Sequence, residues 1–592
     1  MSPADEYARR LQQRELTVAR LERLHIRLGY VRLLLGIAAA AVAWWGFARH
    51  AFPAWWVAVP LAAFALVATR HAGILRARRH AERAAHIYRH GLARLGDRWT
   101  GVGQKGDRFQ DLHHIYAADL DLFGDGSLFQ LLSTARTRMG EDTLAGWLLA
   151  PAALGEIRER QAAVAELRDR LDLREDLGVL GEGEQVGIHP EALLQWAEAP
   201  LRLRQRWLRV AALLLAVLEI ATAVVWGVWG LFLPFFVVLG INTILARRLK
   251  QPLLQTLFGT EHAFEDLDLL SAVLARLERE QFSTPRLQKL GQQLVSEQLP
   301  PSRAIGKLRT IIDFSYSRDN LILRVLDLPL LYSVQVAFWA EAWRRRHGAA
   351  VRRWLEATGQ VEALISLATY QYERPADPFP EFTTGPAVFE AEDLGHPLIA
   401  EEKCVRNSVH IGAEARVLLV SGSNMSGKST LLRAAGINAV LAMAGAPVRA
   451  RRLRLTPLQV GASIRINDSL QEGSSRFYAE ITRLRRIFDL ARGEPPLFFL
   501  LDELLQGTNS MDRRIGAEGI VRALVERGAI GLVTTHDLAL AEIGGSLNGN
   551  IHNVHFQDEL EEGRIHFDYR LRPGVVTKSN GLELMRSIGL EV

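Results

Sequence analysis

The stretch "LLVSGSNMSGKSTLLRAAG" (418–436) decides how the C-terminal part of this chain is read. An apolar run ends at Gly422, and after 423–426 come Gly427, Lys428 and Ser429. Glycines at that spacing let the backbone approach a phosphate and turn its N–H groups inward, where a strand passes into a helix. Lys428 would reach the β- and γ-phosphates of ATP, and Ser429 would hold Mg2+. Working outward, "LFFLLDE" (497–503) reads as an apolar strand ending in two acids. Asp502 would lie beside the metal, through water, and Glu503 beside the attacking water as general base. A further strand, "GLVTTHDLAL" (531–540), runs into His536, placed to sense the γ-phosphate. Alone, an acidic strand end or a histidine reads equally well as a solvated terminus; here each lies downstream of a complete loop motif. From about residue 387 short apolar strands alternate with helices, the pattern of an α/β layer fold.

Composition bounds the rest. With 592 residues the chain exceeds a single hydrophobic core, and it reads as multidomain. Its 71 Lys and Arg against 66 Asp and Glu leave +5, too little to imply nucleic-acid binding. The positive charge is clustered, as in "RHAGILRARRHAERAAHIYRH" (70–90). A single cysteine, Cys404, excludes an intramolecular disulfide framework and a cysteine-rich zinc module. No cleavable signal peptide is read in the charged first 27 residues.

Two apolar pairs interrupt this soluble pattern. The segments 33–47 and 54–69 are separated by a short linker, and 210–246 carries only Glu219 as a charge, turning near "GVWG" (227–230). That length predicts two transmembrane hairpins and four spans. Trp44, Trp45, Trp55, Trp56, Trp226 and Trp229 sit near the ends, as at a membrane interface. Basic residues flank the outer ends, from Arg27 and Arg32 through Arg70 and Arg76 to Arg209, Arg247, Arg248 and Lys250. The positive-inside rule then puts the hairpin connections outside, making a multi-pass protein of the cell (inner) membrane with both termini and the α/β domain cytoplasmic. Buried core helices are the alternative. Glu219 reads as a functional intramembrane carboxylate or as one facing its neighbours, with no role assigned. Helical periodicity fills 127–200 and 260–370, with a break at "LPPSR" (299–303), and "ERPADPFPEFTTGP" (373–386) reads as a domain linker.

Taken together, these motifs resemble those of the MutS family of mismatch-recognition ATPases. "SGSNMSGKST" is similar to the family's P-loop, with Asn424 and Met425 in characteristic places. "DSLQEGSSRFYAEI" (468–481) resembles its signature segment, in which Gly473 and Ser475 would face the partner subunit's nucleotide. "DELLQGTNSMDR" (502–513), with Asp512, and "TTHDL" resemble the acidic strand and the switch histidine; "GHPLI" (395–399) and Asn407 precede the site. "VTKSNGLELMRSIGL" (576–590) lies where family members dimerise. The resemblance implies ATP and Mg2+ as cofactors, held by Asn407, Gly422, Asn424, Met425, Ser426, Gly427, Lys428, Ser429, Thr430 and Ser475. It implies Ser429 and Asp502 at the metal, and Glu503, His536 and Lys428 as catalytic groups. More weakly, "SLFQLLSTARTRMGEDTLAGWLLAP", "FEDLDLLSAVLARLE" (264–278) and "VEALISLATYQY" (361–372) are similar to helical core and lever segments.

The expected fold is therefore a helical core/lever region with inserted transmembrane hairpins, followed by an α/β P-loop NTPase domain of MutS/ABC type. Its parts are 1–95, the N-terminal helix, first hairpin and basic helix; 96–200, core/lever; 201–250, second hairpin; 251–375, lever; and 376–592, ATPase and dimerisation. An ABC transporter is set aside because "LQEGSSRFYAE" is not its signature run. Departures from the family are as informative. A Phe-x-Glu mismatch wedge is missing from the chain start, the lever has little room for a clamp, and no nuclease is expected after residue 592. "FEAED" (389–393) reads as a strand instead. The implied protein is a membrane-anchored homodimeric ATPase whose nucleotide cycle moves the levers. Two partner classes stay open: DNA, through the basic stretches 70–90 and 344–353, or a protein or lipid with no nucleic acid involved.

Overall fold

The computed structural model describes the chain except residues 1, 50–52, 181–189, 204, 258–266, 296–298, 317–320, 424, 466–475, 507, 537–549, 562–563 and 577–592. Asn424, Gly473, Ser475 and most of the C-terminal segment 576–590 thus lie outside the described residues. In chain order the helices begin with α1 (Pro3–Ala43), α2 (Ala58–Leu95), α3 (Leu128–Leu132), α4 (Arg138–Leu149) and α5 (Leu154–Leu167). Next come α6 (Leu171–Gly178), α7 (Pro190–Glu198), α8 (Arg206–Trp229), α9 (Leu233–Leu257) and α10 (Leu267–Leu277). Then follow α11 (Pro285–Gln293), α12 (Pro301–Tyr316), α13 (Leu321–Leu330) and α14 (Tyr332–Glu373). The expected break at 299–303 is the start of α12.

The chain divides into two compact units. The first comprises Met1–Gly103, Arg170–Val179 and Tyr372–Pro375. Ser2 starts α1 with a reciprocal cap: its hydroxyl accepts from Asp5 N and the Asp5 carboxylate accepts from Ser2 N, each at 3.2 Å. Pairs Arg89–Glu15, Arg78–Glu22 and His25–His71 show that α1 and α2 run antiparallel. A Cβ at Gly91 would lie 2.4 Å from the Tyr7 ring, so only glycine permits this approach. Tyr7 stacks on Tyr372 at 5.5 Å and donates to Glu373 at 3.2 Å, while Arg94 forks onto Glu373 at 2.6 and 2.8 Å. The base of this hairpin is polar and closed; its far end exposes Leu33, Leu34, Ile37, Trp44, Trp45 and Trp55.

The second unit comprises Gln104–Asp169, Leu180–Gln371 and Ala376–Val592. In its helical part Glu362 of α14 caps α4: its carboxylate accepts from Thr137 Oγ1 and, at 3.3 Å, from the backbone N–H groups of Arg136 and Thr137. The second hairpin is α8 and α9, turned by Gly230 at φ 70°. Its base packs Leu203, Ala212 and Leu249 against Leu331, Val334, Ala337 and Phe338. Above that base its outer surface is apolar, with Leu214 65% and Val217 63% exposed.

By length and composition, three described helices suffice to cross a membrane: Pro3–Ala48, Trp55–Leu95 and Trp207–Trp229. Four spans were expected; α9, the return limb of the second hairpin, falls outside these three because its apolar run contains Asn242 and Thr243 and ends at Arg247, Arg248 and Lys250.

After α14 come two sheets. A four-stranded sheet has the order β1 (Glu381–Phe382), β5 (Arg452–Leu455), β2 (Phe389–Leu394), β3 (Asn407–Ile411), and "FEAED" is a strand as expected. The six-stranded sheet has the order β10 (Arg564–Pro573), β9 (Ile551–Glu561), β4 (Val417–Ser421), β8 (Ile530–Thr535), β7 (Leu497–Leu501), β6 (Gln459–Ser463). Only β10 is antiparallel to its neighbour. Every residue of β4, β7 and β8 is buried, which is why these strands read as unbroken apolar runs. Helices α15 (Lys428–Ala444), α16 (Arg476–Leu490) and α17 (Ser510–Glu526) complete the layer. The architecture is a helical region followed by an α/β domain with mixed sheets.

Candidate nucleotide site

The ends of β4, β7 and β8 bring the expected residues together. Beyond β4 the loop turns through Gly422 at φ 150°, Met425 at φ 72° and Gly427 at φ 101°, then enters α15 at Lys428. A Cβ at Gly422 would lie 2.9 Å from Ser426 Oγ and 3.2 Å from the Phe556 carbonyl, so the glycine is sterically required. Lys428 is buried and curls back over the loop, donating from Nζ to the carbonyls of Gly422 at 2.8 Å and Ser423 at 2.7 Å. Burial pulls its pKa down, opposed by the carboxylates of Glu503, Asp502 and Asp558. Met425 points outward, 84% exposed, and Thr430 is exposed on the first turn of α15.

Ser429 Oγ donates to Asp502 Oδ2 at 2.5 Å, and Thr534 Oγ1 donates to Asp502 Oδ1. The same Thr534 oxygen accepts from Glu503 N at 3.0 Å. Glu503 and Leu505 take φ of 51° and 57°, left-handed values that cost a side-chain-bearing residue free energy and re-aim the chain at the end of β7. Glu503 Oε1 stands 3.5 Å from His536 Nδ1, and Gln506 donates to its other oxygen. Leu505 N donates to the buried Glu480 of α16 at 2.6 Å.

Asn407 takes a different position. Its amide donates to the Tyr569 carbonyl at 2.9 Å and accepts from Leu571 N at 2.7 Å, bracing an irregularity of β10. Tyr569, at φ 55°, lays its ring against Gly427, 3.2 Å from where a Cβ would be. Asn407 therefore reaches the loop through Tyr569. Thr534, Tyr569, Gln506 and Glu480 were not singled out in the sequence. Thr534 carried a signal there, standing two residues before His536 at the end of an apolar strand, and Gln506 and Glu480 lay inside the quoted segments 502–513 and 468–481; Tyr569 carried none. Asp512 lies at the start of α17, where Asn509 Oδ1 caps its N–H at 2.9 Å.

The chain matches MutS domain III over residues 114–488 and MutS domain V over 418–591. It is 31% identical over 353 residues to "Endonuclease MutS2" of Thermus thermophilus, covering 58% of this chain and 44% of that protein. It is 30% identical over 242 residues to "DNA mismatch repair protein MutS" of Natronomonas pharaonis, covering 40% of this chain and 27% of the other. The chain thus spans less than half the length of these curated relatives. The domain III match alone extends over more than half of the present chain, and domain V coincides with the sheet that carries the loop. By these matches the chain belongs to the MutS family.

Proposed function

We propose that this protein is a membrane-anchored ATPase that binds and hydrolyses ATP with Mg2+ at composite sites of a homodimer. One observation carries the reading: Lys428, Ser429, Asp502, Glu503 and His536 converge on the loop Gly422–Gly427 at the carboxyl ends of adjacent parallel strands. The residues fit both cofactors. Ser423 Oγ and Ser426 Oγ are buried in the loop without a hydrogen-bond partner among the described residues, so each has a hydroxyl to give to a phosphate oxygen. Ser429 and Asp502 offer an alcohol and a carboxylate oxygen, the hard ligands that Mg2+ prefers.

Bound Mg2+ would supply charge neutralisation at the phosphate oxygens. Lys428, already desolvated, would exchange its loop carbonyls for phosphate. Glu503 would take the proton of the attacking water, and His536 would hold that carboxylate in place from Nδ1. Ser475 would complete the partner's site. Glu503→Gln should retain ATP binding and lower kcat by about 10²–10⁴-fold, the usual contribution of a positioned general base. Unchanged turnover would sink that assignment.

The exposed apolar hairpins support anchoring in the cell (inner) membrane; with α9 taken as the return crossing beside α8, the ATPase and both termini are cytoplasmic. The packing of α8 and α9 on the start of α14 supports coupling between the nucleotide cycle and the lever helices. The relatives' printed names make DNA the first partner to test. A second reading, a protein or lipid partner without nucleic acid, is favoured by the state of the basic stretches. Arg344 is buried against Glu341, Arg352 pairs with Glu198, Arg78 with Glu22 and Glu82, and Arg89 with Glu15. The deciding experiment is the ATPase rate of detergent-purified full-length protein with and without duplex, mismatched and branched DNA, at low and moderate salt. Salt-sensitive stimulation means a DNA-reading lever; indifference to every DNA moves the partner search to proteins and lipids.

A further inference from the structure

The second hairpin contains a carboxyl group for which the nucleotide cycle has no use. Glu219, midway along α8, is 1% exposed. Its Oε2 faces Asn242 Nδ2 of α9 at 3.5 Å, and the same nitrogen donates to the Pro329 carbonyl of α13 at 3.0 Å. A backbone carbonyl can only accept, so this contact fixes which end of the amide is nitrogen. Two oxygens remain, Glu219 Oε1 and Asn242 Oδ1, and neither has a hydrogen-bond partner among the described residues.

The charged residues of the three packed helices do not relieve Glu219. Arg209 lies on α8, Arg247, Arg248 and Lys250 on α9, and Arg324 and Asp327 on α13; among the described residues none of these forms an ion pair or hydrogen bond with its carboxyl. Asp327 accepts from Ser333 N at 2.7 Å instead. An ionised carboxylate left alone in apolar surroundings is costly enough that it takes up a proton.

We propose that Glu219 and Asn242 form a proton-binding site at the junction of α8, α9 and α13. The bound proton sits on Glu219 Oε1 and is donated to Asn242 Oδ1, while Asn242 Nδ2 donates back to Oε2. One proton thereby satisfies both orphaned oxygens, with no other atom added. Loss of the proton leaves a carboxylate facing the bare Asn242 Oδ1 and loosens the hold of α13 on the hairpin. The inference does not need the hairpin to lie in lipid, because protein alone buries Glu219.

The test is chemical. Dicyclohexylcarbodiimide, which reacts with protonated carboxyls in apolar surroundings, is applied to detergent-purified full-length protein across a pH series, and adducts are mapped by mass spectrometry. Glu219 should be labelled at neutral pH while exposed carboxylates are not, and the labelled fraction should fall about tenfold per pH unit above its pKa. Glu219→Gln, whose amide can replace the donated proton, should lose the adduct and keep the wild-type melting temperature; Glu219→Ala should melt lower. No adduct at Glu219 of folded wild-type protein at any pH would overturn the proposal. So would protection by Na+ at constant pH, which would make this a cation site. The wild-type titration decides the matter without any variant. Membrane anchoring is read separately by alkaline extraction, so protein that is extracted yet labelled would refute the anchor and leave this site standing.

Discussion

At Thr534 one hydroxyl serves two acids, donating to Asp502 and accepting from the backbone N–H of Glu503. Thr534→Val removes both bonds at a fully buried position and should cost about 1–3 kcal/mol, the range for leaving a buried polar group unpaired. Because the two acids lose their relative placement, kcat should fall by more than about tenfold while the KM for ATP changes little. Steady-state kinetics together with a melting curve separate these effects, and an unchanged kcat would show that Thr534 only fills space. Glu362 makes a pH prediction. Burial pushes its pKa up to about 7 from 4.5, against the opposing hydrogen bonds from Thr137 and Arg136. The folded state therefore holds the proton more tightly than the unfolded chain. Stability from this group is full below about pH 4.5 and is lost as pH rises to about 7, by about 3 kcal/mol in all. In Glu362→Gln that slope should vanish from melting curves taken across the window; a slope that persists would assign it to another group.

Among the elements, what was legible in the sequence was what is local. The loop Gly422–Gly427, the strand ending in Asp502 and Glu503, and the turn at Gly230 are each specified within a few consecutive residues. The links between elements were hidden, because distant residues make them. Asp119, in an irregular stretch before α3, accepts from the backbone N–H groups of Ile464 at 2.7 Å and Arg465 at 2.6 Å and pairs with Arg483 of α16. Nearby Asp121 pairs with Arg433 of α15 at 3.2 Å and Arg465 at 2.6 Å. Only the fold brings these aspartates to the helices on either side of the candidate site. The difference between three spans and four lies in α9, whose apolar run stops at Ala246 while the helix continues to Leu257. Asp119→Ala would leave the N–H groups of Ile464 and Arg465 unpaired and strip the half-buried Arg483 of its carboxylate, leaving it the carbonyls of Ala462 and His114, at a cost of about 1–3 kcal/mol. Asp121→Ala, which is more exposed, should cost under about 1 kcal/mol. Equal melting temperatures for the two variants would refute Asp119 as the link that fixes the end of β6 and α16.

For the whole molecule, the question is what the two apolar hairpin surfaces face. Leu214 and Val217 of α8 are 65% and 63% exposed, whereas Glu219 on the same helix is 1% exposed. This helix turns its one acid inward and its leucine and valine outward, the reverse of a helix facing water. Basic residues collect where the apolar length ends, at Arg247, Arg248 and Lys250 of α9. If that surface lies in lipid, an arginine at Leu214 or Val217 costs about 2.5–3.5 kcal/mol each near the middle of the span. If it lies in water, either arginine should be nearly neutral or even improve solubility. The Leu214→Arg/Val217→Arg double variant should therefore accumulate in the membrane fraction at a lower level than the wild-type protein, the first hairpin still holding what is made. An ATP-binding assay on the purified variant shows whether the α/β domain remains folded. A wild-type protein recovered in the soluble fraction without detergent would instead make these faces a protein interface, and the same arginines should then break an assembly seen by sedimentation.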